Sequence, residues 1–90
     1  MNKQVYVFMG KQAMFPTGIF FSKEKAESLI SKYSLTGVLS VYPIDIILYD
    51  WAIENNFFEA KKDYQKSPIF IEQFSCASIE HYHYEKGELC

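Results

Sequence analysis

Arginine is absent from this 90-residue sequence, and all nine basic residues are lysines. The side chain best suited to bidentate contact with phosphate and guanine is therefore missing, and a nucleic-acid partner is not expected. Lys, Ile, Asn, Tyr and Phe are plentiful, as an adenine- and thymine-rich genome would make them, so codon bias is a second source of that absence. Cysteine is scarce too: only Cys76 and Cys90 occur, and Cys90 is the last residue, where chains tend to fray. A structural disulfide is not expected. No apolar run approaches the roughly 20 residues that span a bilayer, and the first one, residues 5–9, is too short for a signal-peptide core. These shortages predict a reduced, soluble, cytoplasmic protein without a membrane partner. Phosphate-loop spacing is also missing, because neither Gly10 nor Gly18 is followed by the Lys-Ser or Lys-Thr pair that such a loop needs.

Aromatic residues are abundant, at 18% of the chain, within an ordinary hydrophobic fraction of 49%. A chain of this length is expected to form one domain, burying roughly 60 to 65% of its unfolded surface. So small a core cannot hide every ring, and some aromatics should form an exposed patch or a groove wall. The formal charge is −2, and the acids concentrate after Asp45, so the later half of the chain is the acidic half.

Val5, Val7 and Met9 alternate with Tyr6 and Phe8, the period-two pattern of a strand over residues 4–9. Gly10 and the Phe15-Pro16-Thr17-Gly18 stretch make a connection to a short second strand, residues 18–21. Ser22 is suited to cap a helix over residues 23–33, whose Ala26, Leu29, Ile30 and Tyr33 share one face. A third strand over residues 38–42 ends at Pro43. Asp45 is placed to cap a two-turn helix through Trp51, Ala52 and Ile53, with Asn55-Asn56 as its left-handed stop. Residues 59–66 read as a surface loop, and Ser67-Pro68 as the cap and first-turn proline of a short helix. After a break at residues 75–78, residues 79–85 form the last strand. The expected fold is α+β: a mainly antiparallel four-stranded sheet with helices packed on it, in the order β-β-α-β-α-α-β.

The blocks Val5-Tyr6-Val7-Phe8-Met9-Gly10, Phe15-Pro16-Thr17-Gly18-Ile19-Phe20, Val41-Tyr42-Pro43-Ile44-Asp45, Tyr49-Asp50-Trp51-Ala52-Ile53-Glu54-Asn55 and His81-Tyr82-His83-Tyr84-Glu85 resemble successive signatures of one small bacterial family of unknown function. The resemblance covers nearly the whole chain. Where its members usually carry Gly after the Tyr-Asp-Trp-Ala helix, this chain has Asn56, which tolerates the same left-handed backbone. The resemblance implies kinship and brings no activity with it.

The last strand holds both histidines. An extended chain sets His81, His83 and Glu85 on one face and Glu80, Tyr82 and Tyr84 on the other. His81 and His83, with Glu85 as a third ligand, are the candidates for a metal or ligand site, although a catalytic zinc wants three firm protein ligands. The ordinary alternative is one ring bonded to a backbone carbonyl and one solvated. Cys76 is flanked by small residues and would be a nucleophile only with a histidine brought beside it; a buried, inert thiol is the usual state. Asp50 and Glu54 are spaced i, i+4 and would lie side by side, normally as a solvated acidic face.

Tyr49, Asp50, Glu54, Phe57, Phe58 and Glu59 surround Trp51 with rings and acids, a composition suited to a protein interface, while Trp51 itself is expected to pack into the core. Tyr82 and Tyr84 join these as contact candidates. An acidic, aromatic surface favours a basic partner. The leading expectation is thus a non-enzymatic protein-binding domain without a cofactor, in its most concrete form an immunity-type protein that covers a basic toxin domain. The alternative is a metal- or ligand-binding protein using the His81/His83 face, and a third is self-association through an aromatic patch.

Overall fold

Alternation in the first segment turns Tyr6 and Phe8 to one side of an extended chain and Val5, Val7 and Met9 to the other. In the computed structural model, which describes residues 4–90, this segment is strand β1 (Gln4–Gly10). Strand β2 (Gly18–Phe20) runs antiparallel to it, with Tyr6 opposite Phe20 and Val7 opposite Ile19. Thr17 ties the connection at its base: its hydroxyl accepts from the Gly10 N–H at 3.1 Å, and its own N–H donates to the Phe8 carbonyl at 2.7 Å.

Helix α1 (Lys23–Lys32) begins where Ser22 accepts from the Lys25 N–H at 3.1 Å, satisfying one of the free donors of the first turn. Ala26 and Ile30 are its buried positions. The helix yields to Ser34, in the left-handed region at φ 55°, and the chain returns as β3 (Gly37–Pro43). Strand β4 (His81–Glu85) pairs antiparallel with β3, setting Leu39 opposite Tyr82 and Val38 opposite His83.

A fifth strand, β5 (Glu88–Leu89), replaces the four-stranded expectation; the sheet is antiparallel and its order is β2-β1-β3-β4-β5. Lys86 and Gly87 both have positive φ, 49° and 87°, which is the backbone of a two-residue hairpin. The turn is also tied down: Lys86 N–H donates to the Thr36 hydroxyl at 2.9 Å, and Gly87 N–H to the Leu35 carbonyl at 2.8 Å. A Cβ at Gly87 would stand 3.2 Å from the Ile30 carbonyl, so space and backbone both call for glycine there.

Phe8, Ala26, Ile30, Leu39 and Tyr84 form the buried cluster of this first unit, which takes in residues 4–42 and Ile79–Cys90. Tyr6, Phe20, Leu35 and Tyr82 pack around it. The cluster joins α1 to one face of the sheet, as the period-two and period-3.6 patterns predict.

The second unit, Pro43–Ser78, is built from short helices. Helix α2 (Leu48–Glu54) starts later than the sequence suggests: Asp45 lies in the left-handed region at φ 64° and caps nothing, and Ile47 occupies the cap position without a side-chain bond. Its end follows expectation, with Asn56 left-handed at φ 63°. The expected surface loop contains a 3-10 turn, Asp63–Lys66, held by the Gln65 side chain accepting from the Lys61 and Lys62 N–H groups at 2.9 and 3.0 Å. Helix α3 (Pro68–Glu72) has the predicted cap, Ser67 accepting from the Phe70 N–H at 3.2 Å with Pro68 at the first position. Among the described residues the element order is therefore β-β-α-β-α-α-β-β, and no helix is long and apolar enough to cross a membrane.

Candidate functional site

On the β4–β5 hairpin the two faces of the strand have different fates. His81, His83 and Glu85 are exposed, Tyr82 is half-buried and Tyr84 is 4% exposed. Tyr84 meets Phe8 edge to face, with ring centroids 6.3 Å apart, and its hydroxyl donates to Glu27 Oε2 at 2.6 Å. Burial, then the bond to Glu27 and its negative charge, hold the Tyr84 hydroxyl well above the ordinary tyrosine range. Lys23 Nζ stands 3.9 Å from the same Glu27 oxygen and 3.9 Å from the centre of the Tyr82 ring. Both tyrosines thus fasten α1 to the sheet, and the burial of Tyr84 withdraws it from the candidate contact surface.

His81 Nδ1 lies 2.7 Å from the Ile79 carbonyl. A carbonyl only accepts, so in this contact Nδ1 is the donor. The His81 and His83 rings stand 5.3 Å apart at 80°. The predicted set of His81, His83 and Glu85 does share a face, but sharing a face does not make it converge. Among the described residues, no three His, Cys, Asp or Glu side chains come together to hold a metal ion.

What His83 and Glu85 do line is an open cavity of about 520 Å³, and His81 is not among its walls. Met9, Ala13 and Val38 supply its apolar surface and Lys11 a cation. Cys90 is another wall residue, and its N–H donates to the His83 carbonyl at 2.9 Å, which sets the two residues opposite each other across the hairpin. Sequence reasoning missed these neighbours. Met9 and Val38 carry a signal only through their parity with His83, and that parity has meaning only once strand pairing is known.

In the second unit the candidate aromatics divide sharply. Tyr49 is 8% exposed and sits among Phe58, Phe70 and Phe74 at centroid distances of 5.7, 6.3 and 5.5 Å. Its hydroxyl donates to the Gln65 carbonyl at 2.8 Å, anchoring the 3-10 turn. Tyr49 is therefore the hub of this unit and not a contact residue, a place expected for Trp51. Trp51 is half-buried and lies against Phe57, with centroids 5.5 Å apart at 37°.

Phe57, Phe58 and Glu59 do come together. With Ile53 and Asn56 they line a notch of about 390 Å³ just beyond the end of α2. Phe57 is 51% exposed and Ile53 37%, while Asp50, Glu54 and Glu59 are all exposed on the same segment. Among the described residues none of these three acids is in a salt bridge, the one ion pair being Lys23 with Glu27. The arrangement offers apolar surface beside free negative charge.

No curated protein and no solved structure matches this chain. A family model does, across residues 5–90, and both the cavity at His83 and the notch at Phe57 fall within the matched span: the chain belongs to the domain of unknown function family DUF7710.

Proposed function

We propose that this domain works by binding another protein and performs no chemistry of its own. The observation that carries the reading is the exposed Phe57 beside Ile53, with Glu59 in the same notch and Asp50 and Glu54 exposed on α2, none of the three acids in a salt bridge among the described residues. A half-exposed phenylalanine leaves roughly 100 Å² of ring to bury, a gain of about 2 kcal/mol on contact. Unpaired acids near an apolar anchor favour a basic partner and raise the encounter rate, more so at low salt. In its narrower form the partner is a basic toxin domain, and this chain is the immunity-type protein that covers it.

Growth rescue tests the narrower form. The domain is co-expressed with the product of a toxin-like neighbouring reading frame, beside Phe57→Ser and Glu54→Lys/Glu59→Lys variants. The reading expects rescue by the native chain, loss with Phe57→Ser, and weakened rescue with the charge-reversed variant. Rescue that ignores both variants overturns the site, and no binding to any such product overturns the immunity reading.

A second reading, binding of a small ligand, rests on the His83-lined cavity with its apolar walls and single lysine. A saturable response of the His83 ring resonances to a ligand, unaffected by Phe57→Ser, would favour it over the first.

A further inference from the structure

Residues 12–22 contain no charged side chain, and the structure places this uncharged stretch at the surface. Met14 is 84% exposed, Phe15 75%, Phe21 74% and Ile19 63%. Ile19 lies in β2 and the other three flank it in sequence; β2 ends the sheet, where β1 covers one of its edges and, among the described residues, no strand covers the other. The opposite end of the sheet is guarded in the usual way. Strand β5 is two residues long, carries Glu88 and follows Glu85 and Lys86, charges that discourage a second chain from pairing there. Strand β2 is also short, three residues with Pro16 just before it, but among the described residues it carries no such charge.

We infer that β2 is the pairing edge of a homodimer, in which a second copy of this chain adds its own β2 antiparallel across a two-fold axis. Three observations select a second copy as the occupant. The segment lacks charge of either sign, so two identical copies meet without repulsion, which a charged stretch would not allow. An antiparallel edge is self-complementary under two-fold symmetry, so one strand supplies both halves of the contact. The area is sufficient as well. Four large side chains at these exposures present on the order of 500 Å² of apolar surface per copy, and the doubled value with the paired backbone reaches the roughly 1,200 Å² lower bound of stable interfaces.

With the axis at Ile19, that side chain faces Ile19 of the partner subunit on the sheet face away from Phe20. Phe21 then falls beside the stretch that carries Phe15. This surface lies in the first unit and is separate in sequence from the Phe57 notch, so the dimer stands or falls independently of the binding reading above.

Light scattering coupled to size exclusion, run over a wide concentration range with reductant to silence Cys76 and Cys90, decides the matter. The native chain is expected to approach twice its 10.5 kDa mass as concentration rises. Ile19→Lys, which would place two ammonium groups across the axis, is expected to hold the mass at that of one chain, as is Phe15→Ser/Phe21→Ser. Phe57→Ser is expected to leave the dimer intact. All these positions are exposed, and circular dichroism confirms that each variant is folded. A native mass constant at 10.5 kDa overturns the inference, and so does a dimer that survives both β2-edge variants.

Discussion

The two units of this chain solve the same problem by different means. In the first, strands and one helix enclose Phe8, Ala26, Ile30, Leu39 and Tyr84, and the backbone is spent in a five-strand ladder. In the second, residues 43–78, only Tyr49 and Ala52 are buried, and the rings of Phe58, Phe70 and Phe74 touch one another while remaining partly in water. Ring-to-ring contacts contribute about 0.5–1.5 kcal/mol each beyond their burial, which suits a small cluster. They cannot match a closed core with satisfied strands. The contrast is between a sheet unit closed around its core and an aromatic unit whose rings stay partly in water, which predicts a firmer first unit and a softer second one.

The largest expected effect tests the firm side. Leu39 is 0% exposed, so Leu39→Ala should cost about 2–5 kcal/mol by chemical denaturation. Phe70→Ala removes a larger side chain from the softer unit, yet Phe70 is only half-buried and the loss should be smaller, about 2 kcal/mol. Equal losses would break the comparison. A second measure is hydrogen exchange, in which amides of α2 and α3 should open at lower free energy than those of β1 and β3. Comparable protection in both would show that the ring cluster is as rigid as the sheet.

Next in size is the anchor of the softer unit. Tyr49→Phe keeps the ring among Phe58, Phe70 and Phe74 but leaves the Gln65 carbonyl without its 2.8 Å donor. The expected cost is about 1 kcal/mol, with faster exchange confined to the turn at residues 63–66. A loss spread evenly over α2 and α3 would mean that the hydroxyl organises the cluster and not only the turn.

How much of this was readable from sequence depended on whether the deciding contact was local. Ser22, Ser67-Pro68 and Asn56 act within a turn of their own positions, and each does what its residue type predicts. The alternation in β1 and β4 likewise sorted the side chains onto the right two faces, but it did not say which face of β4 is covered, and Tyr84, expected as a contact residue, is buried. Asp45 was misread because a good capping residue also tolerates the left-handed backbone, and the chain used the second property. Strand β5 escaped notice because two residues carry no period, and its turn is fixed by Leu35 and Thr36, some 50 positions earlier. The choice of Tyr49 over Trp51 as hub rests on which ring can reach the Gln65 carbonyl, a distance that no pattern encodes. The cavity at His83 was half legible, since its strand was read correctly and its opposite wall depends on pairing.

The last effect concerns the tie between α1 and the sheet, and its distinctive sign is in alkali. Tyr84 donates to Glu27 from a buried position, and both facts favour its neutral form, so its folded pKa lies above that of an unfolded tyrosine, about 10. The stability this provides is complete below pH ~10, and it declines as pH rises from there toward the folded pKa, because only the unfolded chain readily releases that proton. Urea midpoints measured from pH 8 to 11 should therefore be flat at first and then fall. Tyr84→Phe removes the ionising hydroxyl and should flatten the alkaline limb, at a cost of about 1 kcal/mol near neutrality from the lost bond to Glu27. Lys23→Ala, which deletes a partly exposed ion pair and a contact over Tyr82, should cost less still, about 0.5 kcal/mol, and leave the alkaline fall in place. If Tyr84→Phe keeps the alkaline fall unchanged, another group outside this tie controls it, and the firmness of the first unit comes from the apolar cluster alone.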